Sequence, residues 1–149
     1  MFGKKFEEYV RFDRWILILI GLVFVVRLGM SLAGVSISET RFVSVNLVLL
    51  VGLVYCAVAV HTTGFGSYKH LFPLLLLQIS VAHSLIALAI VLGIVTGQHN
   101  IFTDPEFFGG TDGRNWFHVG LHLIVGPILT VFYWPLGALI LFVTRKLRP

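Results

Sequence analysis

Four apolar runs fill most of this chain, and each approaches or exceeds the roughly 20 residues that cross a bilayer as a helix. They lie near residues 15–35, 42–60, 71–95 and 116–144. In hydrocarbon every backbone N–H and C=O must be paired within its own segment or in a closed barrel. None of the runs alternates polar and apolar residues as a barrel strand would, so each is expected to be a helix. The fold expected is all-α: an integral membrane four-helix bundle in up-down-up-down order, one transmembrane domain spanning residues 1–149. Composition agrees, with 57% of the 149 residues apolar and 12% charged, against about 25% charged in soluble domains. A disordered chain, an ordinary nucleic-acid module and a water-soluble enzyme are thereby excluded. A single cysteine, Cys56, excludes an internal disulfide framework.

The first run ends in Ser31-Leu32-Ala33, the small-x-small spacing of a signal-peptide cleavage site. Acidic Glu7, Glu8 and Asp13 among the leading lysines, and Arg27 inside the run, argue instead for a retained span. Residues 2–14 put Phe2, Phe6, Tyr9 and Val10 on one helical face. They are expected to form a short N-terminal interfacial helix, with the bilayer itself as its partner.

Charge sets the orientation. Lys4, Lys5, Arg11, Arg14, Lys69, Arg145, Lys146 and Arg148 fall on one side of the spans; only Arg41 and Arg114 fall on the other. The positive-inside rule then predicts both termini in the cytoplasm, and the composition suits a bacterial inner membrane. Span four is too long for the bilayer and carries Pro127 and Pro135, so it is expected to bend. The one long connection, the outer loop 96–115, contains Thr103-Asp104-Pro105-Glu106, which reads as a cap and a first-turn proline opening a short helix through Phe108. Phe102, Phe107 and Phe108 are expected to fold that loop down, as a lid over the bundle mouth or onto lipid, or to serve as an aromatic interfacial anchor.

Polar residues inside a membrane are costly, and chemistry is sought at them first. Arg27 is the one charge deep within a run, a candidate site for a carboxylate, phosphate or headgroup. Asn46 offers interhelical hydrogen bonding. Ser80, His83 and Ser84 share a face of span three. His118 and His122 stand four apart, the HxxxH spacing by which a helix presents two imidazoles to one ion. Val119 occupies the place of the glutamate in the HExxH protease motif, so metalloprotease chemistry is not indicated. His61 and His70 flank the inner turn between spans two and three and read as interface residues.

By residue counting, Arg27, Asn46, His83 and His122 fall in the outer half of the bilayer, with His118 just above them. The expectation is an outward-facing, histidine-lined pocket. It would bind a transition metal through His83, His118 and His122, or a b-type haem with Arg27, His83 and His122 as the cofactor-binding residues, with electron transfer as a role such a cofactor would suit. Straight helices would leave His83 and His122 some 5–10 Å apart in depth, so tilt or the proline bends must bring them together. Two further classes stand beside this. One is a non-catalytic accessory subunit of a larger membrane assembly or homo-oligomer, favoured by the small residues Gly120, Gly126, Gly137 and Ala138 of span four. The other is a small-molecule or lipid-handling enzyme or transporter, for which no motif names a reaction.

Overall fold

A computed structural model describes residues 1–40, 42–107 and 110–147. Arg41 and Arg148 of the charge argument, and Phe108 of the proposed lid, lie outside the described residues, as does the side chain of Phe107. The described residues are helical or in turns, with no strand. The helices are α1 (Phe6–Leu32), α2 (Ile37–Thr40), α3 (Val45–Thr62), α4 (Tyr68–Thr96), α5 (Trp116–Ile128) and α6 (Thr130–Leu147). A 3₁₀ turn, Pro105–Phe107, stands where the Thr-Asp-Pro-Glu cap predicts one. Four segments are long and apolar enough to cross a membrane: α1, residues 38–62, α4, and the α5–α6 pair.

One expectation is corrected at the start of the chain. No separate surface helix precedes the first span, because α1 runs unbroken for 27 residues from Phe6. Its inward residues, Tyr9, Asp13, Ile16, Ile20 and Phe24, follow steps of three and four. That is a single stripe along one face of a helix, with no change of period at residue 14 where a break was expected. Glu8 caps the start of the helix by reaching back to it: the Lys5 backbone N–H donates to Glu8 Oε2 at 2.7 Å.

Of the two prolines in span four, Pro127 stands beside an interruption of the helix, whereas Pro135 lies within the unbroken α6. Pro127 has no N–H to offer the carbonyl one turn back, so the ladder weakens around it. The helix is interrupted at Leu129, whose carbonyl accepts from both Phe132 N (2.9 Å) and Tyr133 N (3.1 Å).

Helix α4 is the hub of the bundle and packs on α1, α3, α5 and α6. Helices α1 and α6 each pack on both α3 and α4 but not on one another, so α3 and α4 form the short diagonal. The core falls into three clusters that succeed one another along the length of the helices. Tyr9, Leu53, Cys56, Val60, Leu71 and Leu141 fill one end. Ile16, Ile20, Phe24, Leu49, Ile79 and Ala82 fill the middle. Ile86, Ala87, Ile90 and Val119 close the end beside the long loop.

The helix ends are tied in pairs. Tyr9 donates its hydroxyl to the Met1 carbonyl (2.9 Å), and His70 Nε2 bonds the Phe2 carbonyl (3.0 Å), which holds the start of α1 against the start of α4. At the opposite end the Ile101 N–H donates to Ser31 Oγ (2.7 Å), pinning the long loop to the last turns of α1. The loop is further fixed by buried Asn100, whose amide donates to the Ala89 carbonyl at 2.8 Å.

Candidate functional site

Between α1, α3, α4 and the α5–α6 break lies a cavity of about 600 Å³, roofed by the loop residues Ile101 and Phe102. Its polar lining comprises Arg27, Ser44, Asn46, His83, His118, His122 and Tyr133, and its apolar wall includes Val45, Leu49, Ile79 and Ile86. The side chains that residue counting places near one level therefore do open onto one space. Ser80 and Ser84, which share a helical face with His83, are not among its lining residues: Ser84 is exposed and Ser80 lines a separate apolar groove with Phe6 and Pro73.

Arg27 follows the α1 stripe, three residues beyond Phe24, and so reaches inward. Its guanidinium lies 5.9 Å from the centre of the Phe102 ring, which in turn stacks on Phe24 at 5.4 Å. Phe102 thus serves as the lid residue expected of the loop. Arg27 Nε is sealed from solvent and has no hydrogen-bond partner among the described residues. No acidic side chain is among the described residues that line the cavity, so this cation has no internal counter-charge there.

The three histidines make a chain. His83 Nδ1 lies 2.8 Å from His122 Nδ1. His122 Nε2 lies 3.2 Å from His118 Nε2. His118 Nδ1 lies 2.9 Å from the Gly113 carbonyl oxygen. The depth gap expected between His83 and His122 is closed, and Gly126 accounts for much of the closure. A Cβ at that position would stand 2.4 Å from His83 Cγ, so only glycine leaves room for the ring where α5 crosses α4. Asn115 caps α5 by accepting from the His118 N–H at 2.8 Å, which fixes the first turn and the direction of the His118 ring.

This geometry lends no support to the three-histidine metal set. A shared ion needs lone pairs converging on one point about 2.0–2.1 Å from each nitrogen. His122 instead turns its two nitrogens to different neighbours, Nδ1 to His83 and Nε2 to His118. Among the described residues no group of three or more histidine, cysteine or acidic side chains could hold a metal ion.

Sequence reasoning missed a second polar cluster altogether. Asp13, Cys56 and Gln78 meet in the core, all at 1% exposure or less. Gln78 Nε2 donates to Asp13 Oδ1 at 2.8 Å, and the Cys56 thiol donates to the same oxygen at 3.4 Å. Asp13 Oδ2 and Gln78 Oε1 have no hydrogen-bond partner among the described residues. Gly52 leaves the space that the Gln78 amide occupies: a Cβ there would stand 2.3 Å from Oε1. The continuous stripe of α1 is the signal that could have found this cluster.

Outside the membrane segments the loop carries its own ion pair. Asp112 and Arg114 meet at 2.8 Å, and the Arg114 guanidinium also donates to the Gly97 carbonyl. The Arg114 hydrogen bonds hold the Asp112 carboxyl down at about 2. His70, from the inner turn, is a structural residue that bonds Ser67 N at 3.1 Å and sits among Phe2, Tyr9 and Phe65. Of the small residues in span four, Gly126 and Gly137 are sites of close packing, whereas nothing approaches Gly120.

Compared with known proteins, the chain matches no protein-family model, no curated protein and no solved structure.

Proposed function

We propose that this is an integral membrane protein that binds a small anionic amphiphile in the cavity between α1, α3, α4 and α5. Arg27 takes the negative group, the wall of Val45, Leu49, Ile79 and Ile86 takes the apolar portion, and Phe102 closes over it. The observation that carries the reading is the Arg27 guanidinium, which faces a membrane-embedded cavity lacking any acidic lining residue among those described. A charge so placed costs roughly 2.5 kcal/mol or more on insertion scales, and a bound anion offsets that cost.

The spans cross in up-down-up-down order in this proposal, with both termini in the cytoplasm of a bacterial inner membrane and the cavity facing outward. Two facts support it. The start of α1 is tied to the start of α4, while its end is tied to the loop that follows α4. The lysines and arginines gather at the first of these ends.

Decanoate is a suitable probe for protein purified in detergent. The unmodified chain should bind it and be stabilised by it, with no visible absorbance and no stoichiometric metal; Arg27→Leu should lose that binding. Equal binding by Arg27→Leu would overturn the reading. So would a haem spectrum or one metal ion per chain, either of which would assign the cavity to a cofactor.

A further inference from the structure

The histidine chain has a direction, and the direction limits what the cavity accepts. The Gly113 carbonyl can only accept, so His118 Nδ1 must carry a hydrogen. With the rings neutral, His118 Nε2 is then a lone pair, and the hydrogen between it and His122 belongs to His122 Nε2. That leaves His122 Nδ1 as an acceptor, so His83 Nδ1 carries the next hydrogen. His83 Nε2 ends the chain as a lone pair. It makes no hydrogen bond among the described residues and is not sealed in the protein, on a ring that lines the cavity. One backbone carbonyl, passed through three rings, thus fixes the far nitrogen of His83 as an acceptor and never a donor.

We infer that the cavity selects an anion which also carries a hydrogen-bond donor, an O–H or N–H group, with its charge on Arg27 and its donor on His83 Nε2. This rests on the anion-binding reading above and adds the ligand's second group. A ligand presenting only ether or carbonyl oxygens to His83 would set lone pair against lone pair, and a buried polar pairing left unmade is penalised more than a made one is rewarded. Discrimination of this kind comes from hydrogen-bonding sites rather than from apolar pockets. His118 and His122 act in it by fixing the tautomer of His83. Gly126 acts by admitting the ring.

Two measurements test this separately. The first needs no ligand: ¹⁵N NMR of histidine-labelled protein, with each ring assigned by its His→Gln variant. Hydrogen on Nδ1 of His83 and His118 and on Nε2 of His122 is expected; hydrogen on Nε2 of His83 overturns the inference. The second compares binding of 2-hydroxydecanoate, its 2-methoxy ether and decanoate. The hydroxy acid should bind about tenfold more tightly than the ether, equivalent to about 1.4 kcal/mol. His83→Ala should erase that preference for the hydroxy acid over the ether. Equal affinity for hydroxy acid and ether, with decanoate still bound, overturns the inference and leaves the anion site standing. Loss of binding to all three acids in the unmodified chain overturns both.

Discussion

Asp13 is the most demanding residue in the molecule: a carboxyl with 0% exposure, no cation beside it, and one oxygen without a partner. Burial of such a group is tolerable only through the hydrogen bonds it keeps, here the Gln78 amide and the Cys56 thiol. Gln78→Ala removes the shorter of these and opens a cavity beside Gly52. It should destabilise the fold by roughly 2–4 kcal/mol, read as a lowered unfolding midpoint in a fixed detergent. Gly126→Ala tests the other cluster. Its methyl would collide with the His83 ring, and overpacking of this kind costs about 1–3 kcal/mol. The same variant should abolish the His83–His122 hydrogen bond in the NMR spectrum, and an unchanged spectrum would show that the ring does not need that space. At this scale the sequence discloses one cluster and hides the other. Arg27, His83 and His122 stand out because each is polar within an apolar run. Asp13 sits among Arg11, Arg14 and Glu8, where a charge looks solvated, and only the three-four stepping from Tyr9 to Phe24 reveals that it points inward.

The helices themselves are legible because their physics is local. Hydrocarbon-length apolar runs leave the backbone no alternative to a helix, and the bounds of α3 and α4 fall within three residues of those read from the runs. The split of α5 from α6 follows from Pro127 for the same reason. What stays hidden is register between helices. Straight-helix counting sets His83 and His122 apart in depth, whereas their rings meet where the gap at Gly126 admits His83, and that packing is not local to one run. The long loop is an element in its own right, held by Asn100, Ser31 and the Asp112–Arg114 pair. Folding lowers the Asp112 carboxyl from its ordinary 3.8 to about 2, so its contribution is complete above about 3.8 and is lost as pH falls through about 2. A ¹³C titration of the Asp112 carboxyl should therefore show a midpoint near 2, returning towards 3.8 in Arg114→Gln. A midpoint near 3.8 in the unmodified chain would mean that the pair is not formed.

For the whole molecule, the question is which face of the membrane the cavity opens towards, and two independent lines of physics bear on it. Helix-end pairing puts the cavity and the long loop at one end of the bundle and the α3–α4 turn at the other. Basic side chains crowd the second end, the end that the positive-inside rule would assign to the cytoplasm in the orientation proposed above. The native thiol does not interfere with a chemical test, since Cys56 is fully buried in the core. Cysteine can therefore be placed at exposed Glu106 in the loop and at exposed Thr62 beside the turn, one per protein. With a membrane-impermeant maleimide on intact cells, Glu106→Cys should label at once and Thr62→Cys only after permeabilisation. The reverse pattern would turn the cavity towards the cytoplasm, so that its ligand would come from the cell's own soluble pool. Labelling of both in intact cells would break the up-down order, because the two ends of one bundle would then share a face. The expected pattern has a functional consequence: an anion reaching Arg27 would arrive from outside the cell or sideways from the outer leaflet, passing beneath Phe102.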